Sequence, residues 1–315
     1  MIIADYLRST PDMTWDIALQ SSIRHGVIRL PEDGDFDVTN LSHIKDVCEK
    51  YTNRGITPLI VEPLPNALHD HIKMGDTLRD ESIEKFIKLM KNLKETTVDT
   101  VCFNFMVHYG WTRTATDLPE RGGAKVTGFK LSDFTPDSYE ISADKLWQNY
   151  EYFIRAVIPY AEKYGIKLAL HPDDPPLPKL GSVARIFTSL DAIKKGINTF
   201  KSQNLGVTFC QACYYLMGED LENAIKELAD KIFFIHFRNV RGTKLDFSET
   251  FHDNGELDMA RLMKIYMENG INVPIRVDHV PTLAGENVGQ AGYDALGRLF
   301  AIGYLKGIID ALENC

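Results

Sequence analysis

Four residues of metal-binding type follow one another along the second half of the chain: His171, Cys210, His236 and Asp278. Each ends a short hydrophobic run that is typical of a β-strand. Imidazole, thiolate and carboxylate donors can bind a metal while leaving coordination positions for substrate oxygens, as catalytic metals require. A single histidine at a strand end is usually structural, but four donors on successive strands favour a metal site. The donor set suits Zn²⁺, Fe²⁺, Co²⁺ or Mn²⁺ and does not choose among them.

The elements that would position these donors are short β-rich runs alternating with longer segments of helical period. Eight strand and helix pairs in strict order predict an α/β fold, a closed (β/α)8 TIM barrel rather than an open doubly wound sheet. The carboxyl ends of the strands would then form the active-site face. The predicted strands are residues 2–6, 26–30, 57–62, 100–106, 167–171, 206–210, 232–237 and 274–278. The predicted helices lie near residues 12–22, 40–53, 80–97, 143–164, 188–202, 220–230, 258–269 and 294–312.

Length and composition predict one large globular domain, residues 1–315. Hydrophobic residues make up 44% and charged residues 25% of the chain, which is enough to bury a sizeable core. No linker-like tract divides it. The longest irregular piece, about residues 110–142, follows the fourth strand and is predicted to be a loop excursion over the barrel mouth.

The net charge of −9 argues against nucleic acid and anionic membranes as partners. The sequence holds no membrane-spanning apolar stretch and no signal peptide, so we expect a cytoplasmic protein. Five cysteines thinly spread do not suggest a disulfide framework. A homo-oligomer is compatible with the sequence, and the oligomeric state stays open.

Three weaker motifs accompany the four donors. Cys210-Gln-Ala-Cys213 has redox or zinc-knuckle spacing but no second pair, so we interpret Cys210 as a ligand and Cys213 as a packing residue. The segment His171-Pro-Asp-Asp-Pro-Pro176 either only ends the strand and forms a turn, or it is part of the site. Trp111-Thr-Arg-Thr114 offers a guanidinium and hydroxyls for a carboxylate or polyol, although such a loop arginine is commonly just solvated.

Together these segments resemble the mannonate dehydratases, metal-dependent barrel enzymes that convert D-mannonate to 2-keto-3-deoxygluconate. The resemblance covers most of the chain. It rests on VCFNFM at 101–106, WTRT at 111–114, HPDDPP at 171–176, TFCQ at 208–211, HFRNV at 236–240, NGELDM at 254–259 and RVDH at 276–279. The family has Asp where Gly110 stands here, and Pro and Gly where Val277 and Val280 stand. It also tends to carry a longer insertion at the mouth.

The resemblance implies a lyase of hexuronate catabolism acting on a small-molecule sugar acid, with His171, Cys210, His236 and Asp278 as ligands. It also implies Mn²⁺ as the metal, with Fe²⁺ or Co²⁺ as substitutes. Dehydration of a 2,3-dihydroxy acid needs a base, an acid and stabilisation of the carboxylate as the C2 proton leaves. We assign Arg276 to the substrate carboxylate and His279 and Tyr293 to proton transfer, with Asp173 as a further catalytic candidate. The candidate substrate-binding residues are Asn104, Trp111, Arg113 and Arg238.

Two other functions stay open at this point. A sugar isomerase or epimerase of the xylose isomerase type would share the barrel and the metal, but it usually relies on several carboxylate ligands, and the Cys210 thiolate argues against it. A catalytically silent relative would keep the metal and bind a sugar acid as a sensor or scaffold. The departure at Gly110 and the short mouth segment would permit such a relative.

Overall fold

The computed structural model describes residues 1–32, 34–286 and 290–314 of the chain. Its strands are β1 (Ile2–Leu7), β2 (His25–Ile28), β3 (Thr57–Val61), β4 (Thr100–Phe103), β5 (Ala115–Pro119), β6 (Lys125–Lys130), β7 (Glu140–Ile141), β8 (Lys167–Leu170), β9 (Lys179–Leu180), β10 (Ser182–Ala184), β11 (Leu205–Cys210), β12 (Ile232–Phe237), β13 (Val240–Thr243), β14 (Asp246–Glu249) and β15 (Pro274–Val277).

Eight of these strands close into a parallel barrel in the order β1-β15-β12-β11-β8-β4-β3-β2. The ring closes at β1, where Ile2 lies opposite Pro274 of β15 and Ala4 lies opposite His25 of β2. Every residue of β11 and β12 is buried, as expected for parallel strands covered by helices. The eight predicted strands are the eight barrel strands, so the predicted (β/α)8 TIM barrel is confirmed.

Ten helices surround the described barrel: α1 (Met13–Gln20), α2 (Leu41–Thr52), α3 (Asn66–Met74), α4 (Arg79–Leu93), α5 (Ala143–Tyr164), α6 (Leu190–Asn198), α7 (Gln211–Met217), α8 (Leu221–Leu228), α9 (Met259–Glu268) and α10 (Ala295–Glu313). In α5 the Ser142 side chain accepts from Lys145 N at the start, and Gly165, with a φ of 71°, ends the helix. None of the described helices has both the length and the apolar character of a membrane span.

Two of these helices were not predicted. The helix α7 is one of the shortest, at seven residues, and it starts directly after the last residue of β11. The helix α3 starts after Pro65, with no side chain capping its first turn. Short helices without a strong start signal are hard to distinguish from loops by periodicity.

The mouth segment, predicted to be irregular, forms strands instead. The strands β5 and β6 pair as a hairpin, and β6 pairs with β14 of a second hairpin, giving a four-stranded sheet β13-β14-β6-β5. At Gly128 a Cβ atom would lie 2.8 Å from the Phe247 carbonyl oxygen, so this close approach requires glycine. Lys125 and Thr282 exchange backbone hydrogen bonds, which tie the sheet to the loop after β15.

The buried hydrophobic side chains of the described residues form two groups. The larger group fills the space between strands and helices. The smaller group lies around Tyr6 and Phe234, with the partly buried Tyr293 packed against it. Side chains fill the interior of such a barrel, which is therefore a floor for a site rather than a pore.

Candidate active site

The four donor residues lie on four neighbouring strands. His171 directly follows β8, Cys210 ends β11, His236 is in β12 and Asp278 directly follows β15. In the sheet register Cys210 lies opposite His236. His171 Nε2 is 3.2 Å from His236 Nδ1, which is 3.3 Å from Asp278 Oδ2. The donor atoms of His171, Cys210 and His236 all lie within 4.8 Å of one another.

These separations fit a divalent metal. Metal bonds of about 2.0–2.3 Å place the donors of a tetrahedral site roughly 3.5 Å apart. The Nδ1 atom of His171 lies 2.7 Å from the Pro172 carbonyl oxygen, to which it can donate, so Nε2 is free to bind a metal. Among the described residues, the chemistry and spacing of the donors therefore suit a divalent ion.

The Cys210 thiol lies in an environment that favours the thiolate. Burial raises its pKa, but a hydrogen bond from Cys213 and the nearby Arg238 guanidinium hold the pKa well below the ordinary value. Arg238 Nη1 lies 3.6 Å from Cys210 Sγ and 3.7 Å from Cys213 Sγ. Burial and the Cys210 charge raise the pKa of Cys213, so Cys213 stays a thiol. Cys213 thus donates to Cys210 as well as packing beside it.

Asp278 is also held as an anion. Burial raises its pKa, but Arg276, His279 and His236 outweigh burial and hold the pKa well below its usual range. Arg276 Nη1 donates to Asp278 Oδ1 at 2.7 Å, and Arg276 Nε donates to Glu62 Oε2 at 2.9 Å. The remaining nitrogen of this guanidinium, Nη2, has no hydrogen-bond partner among the described residues.

A cavity of about 220 Å³ opens above the donors at the barrel mouth. Eight of the residues assigned from the sequence line it: Asn104, Trp111, His171, His236, Arg276, Asp278, His279 and Tyr293. The lining also includes residues that were not assigned, among them Tyr6, Arg29, Glu62, Asp174 and Gln290. Cys210 lies fully buried beneath the cavity.

His279 is held between two groups at the cavity wall. Its Nδ1 lies 3.0 Å from Glu249 Oε1, and its Nε2 lies 3.1 Å from the Tyr293 hydroxyl. The Trp111 ring packs against it at 4.9 Å between ring centres. The φ of His279 is 41°, in the left-handed region that non-glycine residues rarely adopt. Such strain persists where surrounding contacts fix it, commonly at functional sites.

Arg113 and Arg238 do not line the cavity. Arg113 donates to Asp174 Oδ1 at 2.8 Å, and Arg238 Nη1 donates to Asp174 Oδ2 at 2.6 Å. Both also pair with Glu249, at 2.6 Å for each closest contact. Burial raises the pKa of Glu249, but Arg238, His279 and Arg113 lower it to about 2. In this structure the two arginines hold the carboxylates of Asp174 and Glu249, and neither arginine lines the cavity.

Asp173 also does not line the cavity. Its Oδ2 accepts from Phe187 N at 3.0 Å, and burial raises its pKa. Its neighbour Asp174 lines the cavity instead. Asp173 therefore accepts from the backbone of a later loop, whereas Asp174 lines the cavity. The sequence alone does not show which of the two adjacent aspartates lies at the cavity. The structure therefore does not bring Asp173 to the cavity, and its catalytic role stays a prediction.

Two residues of the site, Glu62 and Glu249, were not assigned from the sequence, and only the first could have been. Glu62 directly follows β3 and could have been found by treating every polar strand end as a candidate. Glu249 ends β14, in a hairpin that was not predicted, and is separated by 30 residues from His279. No signal in the sequence marks it.

A closed (β/α)8 barrel with clustered metal-type donors at the carboxyl ends of its strands defines the class of protein: a TIM-barrel enzyme with a site suited to a divalent metal. The D-mannonate dehydratase (UxuA) family model matches residues 17–137 and 130–315. A mannonate dehydratase of Streptococcus agalactiae is 33% identical over 312 residues, with 88% of each chain covered. The chain belongs to the mannonate dehydratase family, whose members are hydro-lyases.

Further comparisons agree with this family. A mannonate dehydratase of Oceanobacillus iheyensis is 32% identical, with 88% of this chain and 87% of that protein covered. The crystal structure of mannonate dehydratase from Streptococcus suis superimposes with a TM-score of 0.92 at 27% identity, covering 100% of this chain and 94% of that one. A D-psicose 3-epimerase from Clostridium cellulolyticum has a TM-score of 0.65 at 12% identity, a likeness that shows the fold alone.

Proposed function

We propose that the protein dehydrates D-mannonate to 2-keto-3-deoxygluconate and water, using one divalent metal held by His171, Cys210, His236 and Asp278. The observation that carries the proposal is the convergence of these donors on a cavity that also contains the hydrogen-bonded pair His279 and Tyr293. Membership of the mannonate dehydratase family supports the choice of substrate.

Mn²⁺ is the proposed metal, with Fe²⁺ or Co²⁺ as substitutes. A bound divalent ion would polarise the substrate carboxylate, acidify the C2–H bond and assist loss of the C3 hydroxyl. The preference for Mn²⁺ rests on the family, because the donor set also suits neighbouring first-row metals.

The substrate carboxylate is assigned to Arg276. Two of its nitrogens are occupied by Glu62 and Asp278, which fix the guanidinium plane. The third, Nη2, is available at the cavity wall to donate to a carboxylate oxygen. Asn104 and Trp111 line the same cavity and are the proposed contacts for the polyol chain. Arg113 and Arg238 act indirectly in this proposal, by holding Asp174 and Glu249.

Proton transfer is assigned to His279 and Tyr293 together. Glu249 is an anion and accepts from His279 Nδ1–H, which leaves Nε2 as the acceptor of the Tyr293 hydroxyl proton. Burial raises the pKa of Tyr293, so its hydroxyl stays protonated. One member of the pair takes the C2 proton and the other supplies a proton to the departing C3 hydroxyl. The resulting enol then becomes the 2-keto acid.

The direct test is product analysis. Protein loaded with Mn²⁺ is incubated with D-mannonate and a panel of other aldonates, and 2-keto-3-deoxy acids are measured. The proposal expects product from D-mannonate or a close stereoisomer. Absence of product from every aldonate would reject it, and formation of a ketose from an aldose would favour the isomerase function instead.

A further inference from the structure

The His236 imidazole presents its two ring nitrogens to two different sets of groups. Its Nδ1 faces the donor cluster, 3.2 Å from His171 Nε2 and 3.3 Å from Asp278 Oδ2. Its Nε2 points the other way and lies 3.0 Å from Glu62 Oε1, a contact without hydrogen-bond geometry, so this buried nitrogen has no hydrogen-bond partner among the described residues. A ring that binds a metal through one nitrogen usually donates from the other nitrogen to a carboxylate or carbonyl, which fixes the tautomer and the ring orientation.

Glu62 is itself held in place. Arg276 Nε donates to its other oxygen, Oε2, at 2.9 Å. The Cys102 thiol donates to Oε1 at 3.3 Å, and the Thr208 hydroxyl donates to Cys102 Sγ at 3.1 Å. The bond from Arg276 is the charged and shorter one, so the arginine gives the Glu62 carboxylate its direction.

We propose that Glu62 is a positioning residue for the metal: it is the carboxylate that accepts from His236 Nε2–H when the ion is bound, and so keeps Nδ1 directed at the ion. This role rests on the proposed ligand set. Glu62 does not belong to that set, because it meets His236 at the opposite ring nitrogen.

The same atoms invite a competing interpretation. Glu62, Cys102 and His236 offer three donor atoms within 4.8 Å of one another, a spacing that a second metal ion could use. Two features oppose it. Arg276 Nε and the Cys102 thiol already donate to the two oxygens of Glu62. Burial and the Glu62 charge raise the pKa of Cys102 well above its usual value, so this cysteine is a neutral thiol that donates to the carboxylate.

The test measures binding of Co²⁺ to protein stripped with a chelator, by competition with a chromophoric chelator and by the absorption spectrum of the bound ion. The variants are Glu62→Ala, Glu62→Gln, which keeps the side-chain volume, and Cys102→Ala as the matched control. His236→Ala reports on the ligand set itself. Melting of the metal-free proteins shows that each variant folds.

We expect one Co²⁺ per chain in the wild type and in Cys102→Ala, with similar Kd and spectrum. Glu62→Ala should raise the Kd about 10- to 100-fold and alter the Co²⁺ bands, because the His236 ring loses its partner. Glu62→Gln should recover part of the affinity, since its amide oxygen can still accept from Nε2–H without the charge. If Glu62→Ala does not fold, the test is the comparison of the other two variants. We then expect the Kd of Glu62→Gln for Co²⁺ to be higher than that of Cys102→Ala.

Two results would overturn the role of Glu62 and leave the ligand set intact. In the first, the Glu62 variants keep the wild-type Kd and spectrum while His236→Ala loses the metal. In the second, the wild-type chain binds two ions and Cys102→Ala loses one of them. Wild-type affinity in His236→Ala would overturn the proposed ligand set and the role of Glu62 together.

Discussion

His279 Nε2 lies 3.1 Å from the Tyr293 hydroxyl, although the two residues are 14 positions apart in the chain. Trp111 packs against both rings. Neither side chain is placed by its own element alone: Glu249 holds the imidazole from the other side, and the tyrosine packs on Tyr6 of the barrel interior. A proton can therefore pass between the pair without rearrangement.

Substitution of this pair should slow the chemical step. In Tyr293→Phe and in His279→Asn, which tolerates the positive φ, kcat should fall on the order of 10²-fold or more, the usual contribution of general acid or base catalysis. Metal content and melting temperature should stay near wild type. Steady-state kinetics with C2-deuterated substrate supply the check, because a slow proton transfer makes the labelled substrate react more slowly. Near-wild-type turnover in both variants would exclude the pair as catalysts.

Arg276→Ala should affect substrate binding more than turnover. We expect a strongly raised KM at saturating Mn²⁺, because a carboxylate clamp acts in the ground state as well as in the transition state. Metal affinity should also fall, since Glu62 and Asp278 lose their shared cation. Kinetics over a range of mannonate and Mn²⁺ concentrations separate the two effects. An unchanged KM would contradict the clamp.

Asp173→Asn tests the assignment of Asp173 as a catalytic residue. The asparagine keeps an oxygen that can accept from Phe187 N, and the side chain lies outside the cavity lining. We therefore expect kcat and KM within a few-fold of wild type. A loss of kcat on the order of 10²-fold in a folded, metal-loaded variant would support Asp173 as a catalyst.

Acid should destabilise the fold partly through His69. This buried side chain donates from Nδ1 to the Pro65 carbonyl oxygen, and burial together with Lys73 lowers its pKa well below the ordinary value. The unfolded chain therefore binds a proton below about pH 6.5 that the folded chain does not bind, and the free energy of unfolding falls as the pH drops. One such group contributes up to about 1.4 kcal/mol per pH unit. Urea unfolding at pH 7 and pH 5 should show a smaller decrease in His69→Gln, and an equal decrease would contradict this role.

The barrel was predictable because its strands are local hydrophobic runs, whereas the mouth sheet was not. Phe129 of β6 lies opposite Phe247 of β14, more than a hundred residues later in the chain. No local sequence pattern predicts such a pairing. The donors were predictable because each stands at a strand end, where the barrel brings distant residues together. The roles of the arginines were harder to predict. Whether a guanidinium can bind substrate depends on which carboxylates of the protein already pair with it. Arg238 forms ion pairs with Asp174 and Glu249.

The central claim is that this chain turns over D-mannonate through a divalent metal at the four donors. Its most direct test is a titration of chelator-treated protein with Mn²⁺, in which 2-keto-3-deoxygluconate formation is measured at each addition. The account predicts no product without metal and a rate that reaches its plateau near one Mn²⁺ per chain, with no recovery in Cys210→Ala. Turnover that survives complete removal of metal, or that Cys210→Ala sustains at the wild-type rate and metal content, would contradict it.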